Sequence, residues 1–186
     1  ANLTIRISSP MPEVIRVQAD HYMGVQAKKP SFELDLSHPQ KLQVEDSEDS
    51  ITVTSGTLSL VMDKKNWSMK YIRDGKVITQ SGNRDLAMMK TDWKGDYYDL
   101  EGDNENTYMR QQLSIGVGEL LYGTGERFTP FVKNGQSVEI YNEDGGTSTE
   151  QSYKNIPFFL SNKGYGVLVN HPEKVSFEFA TENVTR

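Results

Sequence analysis

The sequence predicts an all-β chain folded as an antiparallel β-sandwich or barrel, on three observations. Apolar residues recur with a period of two along most of the chain, successive strands begin about ten residues apart, and no long window carries the 3.6-residue period of an amphipathic helix. A period of two sends alternate side chains to opposite faces of a pleated strand, so one face is built for a core and the other for water.

The elements follow in order. Leu3, Ile5 and Ile7 alternate with Asn2, Thr4 and Arg6, and the same rhythm returns at Ile15, Val17, Ala19 and at Phe32, Leu34, Leu36. It continues at Leu42, Val44, at Ile51, Val53, at Leu58, Leu60, Met62 and at Trp67, Met69, Tyr71, where Trp67 is expected to fill the core. Asp74-Gly75 stands between Tyr71-Ile72-Arg73 and Lys76-Val77-Ile78. These are the residues that tolerate the two positive φ angles of a type I′ turn, so a tight hairpin is predicted there.

Gln80 to Gly95 loses the alternation. Its Asn83 to Met89 portion reads as one or two helical turns within a long loop, and an acidic stretch, Asp99 to Glu105, follows. Strands then resume with Met109, Gln111, Leu113 and Ile115 on one face, followed by Val138, Ile140, by Phe158 to Leu160, by Val167 to Val169 and by Val175, Phe177, Phe179. The uninterrupted run Val167-Leu168-Val169 predicts a central strand covered on both sides. With no repeat and no Pro/Ser-rich linker, residues 1–186 read as one domain.

Composition narrows the function classes. A compact chain of 186 residues hides roughly 70% of its unfolded surface, and nine Tyr, seven Phe and two Trp are available to fill the interior. The net charge of -6, without a block of Lys/Arg, does not suit a row of phosphates, so nucleic acid is not an expected partner. The longest apolar run, Ile156 to Leu160, is far short of the ~20 residues of a membrane helix, and no membrane partner is expected. Cys is absent and the chain opens without the pattern of a secretion leader, which leads to an expected cytoplasmic location.

From Glu119 onward the sequence carries four ordered motifs. They are Leu121-Tyr122-Gly123-Thr124-Gly125-Glu126-Arg127-Phe128-Thr129 with Asn134-Gly135-Gln136 after it, Tyr141-Asn142-Glu143-Asp144-Gly145-Gly146-Thr147-Ser148-Thr149-Glu150-Gln151, Tyr153-Lys154-Asn155-Ile156-Pro157-Phe158, and Gly164-Tyr165-Gly166-Val167-Leu168-Val169-Asn170-His171-Pro172. In this order they resemble the N-terminal domain of the α-glycosidases of glycoside hydrolase family thirty-one, in the α-xylosidase branch. The resemblance implies a sandwich of the galactose-mutarotase type beside a catalytic (β/α)₈ barrel of the same polypeptide, so the chain is expected to be part of a longer enzyme. It further implies that both catalytic Asp residues lie on that barrel, so no catalytic residue, no metal and no cofactor are expected within residues 1–186. Retaining hydrolysis needs two carboxylates roughly 5 Å apart, and no stretch here resembles either of the family's two catalytic motifs.

The substrate-binding residue carried over is Asp144. By the resemblance its loop, Asn142 to Thr149, reaches the mouth of the active site and meets hydroxyls of the sugar in the leaving-group subsite; a carboxylate suits this because it accepts two hydroxyl protons at once. Asn142 is the second candidate. Read without the resemblance, Asp144-Gly145-Gly146 is an ordinary turn.

Other constellations read as structural. His21, His38 and His171 lack metal-ligand spacing. The run Asp99 to Glu105 has its Gly too early for a calcium loop. Gly116-Val117-Gly118 and Gly123-Thr124-Gly125 lack the order and the following helix of a phosphate loop, and close packing of backbone between strands is expected there instead. Glu126 and Arg127 are expected to pair with each other or to face the barrel. Trp93, Tyr97 and Tyr98 remain candidates for a sugar-stacking surface. The functions in competition with an accessory domain are a stand-alone carbohydrate-binding sandwich, a mutarotase-like epimerase needing a His and a Glu converging in one cleft, and a surface for homo-oligomer contacts.

Overall fold

The computed structural model describes residues 2–21, 40–91, 106–141 and 152–186. The expected strand at Phe32 to Leu36, His38, the aromatic residues Trp93, Tyr97 and Tyr98, the acidic run and the Asn142 to Thr149 turn lie outside the described residues. The fold is all-β: every ladder is antiparallel, and no helix occurs among the described residues. The chain divides into two compact units, Ala1–Leu113 and Ser114–Arg186.

The first unit holds β1 (Thr4–Ser8), β2 (Arg16–Asp20), β3 (Gln43–Asp46), β4 (Ser50–Ser55), β5 (Leu58–Asp63), β6 (Ser68–Arg73), β7 (Lys76–Ser81), β8 (Leu86–Thr91) and β9 (Asn106–Gln111). Strands β3 to β7 form a meander in chain order, while β1-β2 and β8-β9 are separate two-stranded ladders. The alternation does its work here. Val53, Leu60, Met62, Met69 and Leu86 are buried together, and Leu3, Ile5, Ile7, Ile15, Val17 and Ala19 pack against them. Asp74 and Gly75 take φ of 51° and 71° between the paired residues Arg73 and Lys76, the two-residue turn that the sequence predicts. The Gly56-Thr57 turn is held from outside, because the Glu13 carboxylate accepts from Thr57 N and from Thr57 Oγ1, both at 2.7 Å.

Three expectations fail in this unit. Trp67 is not in the core: it has φ of 48° in the turn before β6 and is 38% exposed, since the Asp63 carboxylate, accepting from the amides of Lys65 and Asn66 at 2.8 Å, closes that turn ahead of it. Asn83 to Met89 is not helical. A turn closes at Gly82, where Asp85 Oδ2 accepts from the Gly82 amide at 2.6 Å, and Leu86 opens a strand paired along its length with β9. Val44, on the edge strand β3, is exposed rather than half-buried.

The second unit holds β10 (Leu121–Arg127), β11 (Gln136–Ile140), β12 (Ser152–Ser161), β13 (Tyr165–Leu168) and β14 (Val175–Phe179), in the sheets β10-β12-β13 and β11-β14. Its core is Leu121, Val138, Ile140, Phe159, Phe177 and Phe179. Phe159 meets Phe177 and Phe179 edge-on, at 88° and 86°, while those two stack at 10° with centroids 5.3 Å apart. Burying each ring contributes roughly 1.5–3 kcal/mol before the aromatic geometry is counted. Val167 and Val169 pack on this core, but Leu168 between them is 61% exposed, and β13 is an edge strand rather than the covered central strand expected.

The strand β10 bends where it must. The β10-β12 register shifts between Gly123 and Gly125, and Thr124, fully buried with φ of 69°, sits in the bulge. A Cβ on Gly125 would lie 2.0 Å from the Lys154 carbonyl oxygen, and one on Gly123 would lie 2.6 Å from that of Phe158. Close backbone approach thus accounts for this glycine pair. It does not account for Gly116 and Gly118, which belong to a turn closed by Glu119, whose amide donates to Gly116 O at 3.1 Å and whose Oε2 accepts from Gly116 N at 2.7 Å.

Candidate functional site

The second unit contains a cleft of about 310 Å³ lined by Ile140, Tyr141, Asn155, Pro157, His171, Pro172 and Glu173. It lies where Tyr141, the residue after β11, meets the first half of β12 and the segment after β13. Asp144 and Asn142 are outside the described residues, but both stems of the segment that carries them are in place, at Tyr141 and at Ser152. Ser152 pairs with Arg127 across the β10-β12 ladder.

Arg127 ties the stems together. Its Nη2 donates to the Asn155 side-chain oxygen and, at 2.5 Å, to the Glu139 carbonyl, while its Nε donates to Thr124 O at 3.1 Å. Asn155 passes the connection on, donating from Nδ2 to Tyr141 O at 2.8 Å. Partial burial draws the Arg127 pKa down from its usual value, as expected for a guanidinium met by dipoles rather than by a carboxylate. The expected pairing of Glu126 with Arg127 is not formed: Glu126 bonds Lys154 at 3.0 Å on the strand's outer side, because successive side chains on a strand point to opposite faces. Lys133 is buried nearby with its Nζ donating to Thr129 Oγ1 at 2.9 Å and Pro130 O at 2.8 Å, and burial, aided by Arg127, lowers its pKa.

The opposite wall comes from the last motif. Val169 N bonds Pro157 O at 2.8 Å and His171 N bonds Val169 O at 2.9 Å, which turns the chain after β13 so that His171 and Glu173 line the cleft. His171 Nε2 lies 3.4 Å from Glu173 Oε2, both side chains being largely solvated. His21 follows β2 in the first unit, and no group of three metal-ligating side chains occurs among the described residues.

The cleft lining combines the Glu173 carboxylate, the His171 imidazole, the Asn155 amide and the Tyr141 ring with apolar Ile140, Pro157 and Pro172, a mixture that suits a ring bearing both hydroxyls and C–H groups. Its volume is at the lower end of the roughly 300–1,000 Å³ of small-ligand pockets, enough for one sugar ring rather than a chain. Its described lining holds one carboxylate, where retaining hydrolysis uses two. Asn155, His171 and Glu173 were not among the sequence candidates. The available signal was that three of the four ordered motifs, those beginning at Tyr141, Tyr153 and Gly164, each supply residues to this lining.

A family model described as the glycosyl hydrolase 31 N-terminal galactose mutarotase-like domain matches residues 4–178. The chain belongs to this family. Its fold is accordingly the galactose-mutarotase-like β-sandwich of glycoside hydrolases. The alpha-xylosidase XylQ of Lactiplantibacillus pentosus is 40% identical over 184 residues, covering 98% of this chain and 23% of the relative. An alpha-xylosidase of Emericella nidulans is 39% identical over 201 residues, covering 100% of this chain and 25% of the relative. Among solved structures, the Flavobacterium johnsoniae GH31 dextranase superposes with a TM-score of 0.77 at 17% identity, over 99% of this chain and 22% of that one, a likeness of fold. The chain spans about a quarter of the length of the curated relatives it matches.

Proposed function

We propose that residues 1–186 act as a single N-terminal accessory domain of a retaining α-glycosidase of the α-xylosidase type, packing on a catalytic barrel and contributing the Asn142 to Thr149 loop to the leaving-sugar subsite. The observation that carries this reading is the 40% identity to an alpha-xylosidase sustained over 98% of the chain. Asp144, with Asn142 beside it, is the proposed contact to sugar hydroxyls. The fastening of both loop stems by Arg127 and Asn155 supports it, because a loop that must present one carboxylate in a fixed direction needs a rigid base. The domain by itself is proposed to be inactive, with the chemistry supplied by the barrel.

The test compares two substrates in the full-length enzyme. Asp144→Ala should lower kcat/KM for a natural α-xylosyl disaccharide at least tenfold more than for an activated aryl α-xyloside, whose leaving group needs little help from the subsite. Equal losses on both would overturn the subsite role. The isolated domain should release no xylose from the aryl substrate.

One observation favours a second reading. His171 and Glu173 share the cleft, the pair of residue types a mutarotase-like epimerase needs. They face each other on an open rim rather than flanking a ring from two sides, which disfavours concerted acid and base action on one sugar. Polarimetry on α-xylose and α-glucose decides the matter, and acceleration abolished by His171→Ala would establish the second reading.

A further inference from the structure

We propose that the outward face of the β10-β12-β13 sheet is the surface on which the remainder of the longer polypeptide packs. This rests on the reading of the chain as one domain of a larger hydrolase, and adds which face and which residues make the contact.

The register places the apolar side chains together. Tyr122 is paired with Leu160, which is paired in turn with Gly166, and Phe158 is paired with Leu168, so these side chains share one side of the sheet. The Phe158 ring lies over Gly166, where a Cβ would come within 2.7 Å of it, and Phe131 from the following loop meets Tyr122 with ring centroids 5.1 Å apart. Ile156 extends the row along β12. Despite these contacts Leu160 is 50%, Leu168 61% and Phe131 78% exposed. One exposed leucine is ordinary, but six contiguous apolar side chains are a surface built to be covered.

The chemistry identifies the occupant. Strand β12 is apolar on both sides at once, with Ile156, Phe158 and Leu160 outward and Phe159 in the core, the composition of a strand covered on both faces. Among the described residues of this face the charged pair stands at the rim, where Lys154 and Glu126 meet at 3.0 Å beyond Ile156. An apolar centre without charge is the pattern of a permanent contact rather than of a passing one. The two alpha-xylosidases similar to this chain carry the matching region in chains about four times as long, so the permanent neighbour is the rest of the same polypeptide.

Hydroxyl-radical footprinting tests this without relying on activity. In the 186-residue chain Phe131, Leu160 and Leu168 should be oxidised readily, and in the full-length polypeptide at least fivefold less, each normalised to the denatured protein. Equal labelling in both overturns the proposal. Protection already present in the short chain overturns it as well: protection lost on dilution assigns the face to a second copy, protection that needs added xylo-oligosaccharide assigns it to sugar, and protection independent of both assigns it to another segment of residues 1–186. A full-length polypeptide that shows the protection but cleaves no α-glycoside would overturn the functional reading and leave the docking face standing; cleavage without protection does the reverse.

Discussion

Arg127 and Asn155 are bonded side chain to side chain across strands β10 and β12, and through this one guanidinium the ends of three strands are held in register. The other acceptors of Arg127 are the carbonyls of Thr124 and Glu139, in β10 and β11. A planar fork of donors reaches all three, whereas the single ammonium of lysine cannot. Arg127→Lys should therefore lower unfolding free energy by about 1–2 kcal/mol and Arg127→Met by about 2–3 kcal/mol, read by chemical denaturation. Equal stability of the Lys variant would show that the fork geometry is not needed.

The bulge in β10 predicts a contrast between two glycines. Gly125 has φ of 94° and no room for a Cβ, whereas Gly135 has φ of 82° and open space around it. Gly135→Ala should cost only the backbone strain, about 1–2 kcal/mol, while Gly125→Ala should cost well above that, since the Lys154 carbonyl must be displaced. Similar melting temperatures for the two variants would contradict the close approach.

Glu119 is the buried acceptor of the second unit. Its Oε1 accepts from Ser161 Oγ at 2.5 Å and Tyr165 OH at 2.6 Å, and its Oε2 from Gly116 N at 2.7 Å. Removing the carboxylate leaves three donors to be re-satisfied, whereas removing the tyrosine hydroxyl leaves an acceptor that still has two. Glu119→Leu should thus cost about 3 kcal/mol or more and Tyr165→Phe about 1 kcal/mol, with the double variant less destabilised than the sum. Strict additivity would place the two outside one network.

Alkaline stability should turn on Tyr71. Its side chain packs on the core of the first unit, and burial pushes its pKa up to about 12. The folded value exceeds the unfolded one of about 10, so the contribution is fully present below pH about 10 and is lost as pH rises through about 12. The melting temperature should fall across that window, and Tyr71→Phe should flatten the fall while leaving stability at pH 7 within about 1 kcal/mol. Titration of tyrosinate absorbance gives the independent check.

Much of the fold was legible because alternation reports burial directly. Leu3, Ile5 and Ile7, Leu60 and Met62, and Phe177 and Phe179 all face a core as their spacing requires. The failures have physical reasons. Leu86-Ala87-Met88-Met89 are good helix formers without alternation, and only pairing with a strand twenty residues on makes them β. Trp67 obeys the period but falls where an Asp63-capped turn takes precedence. At the site, the meeting of Asn155, His171 and Glu173 was hidden because it depends on a ladder register, and the grip of Arg127 because two of its partners are main-chain oxygens, which leave no mark in a sequence.

The division at Leu113 has a spectroscopic consequence. Trp67 and Trp93 both fall within Ala1–Leu113, so Ser114–Arg186 contains no indole. Emission excited at the red edge comes only from indoles of the first unit. A melting curve followed in that channel has no reporter within the β10-β12 ladder, where Arg127 and its bonds lie, so tyrosine signals or calorimetry must be recorded alongside it for the second unit to be seen directly.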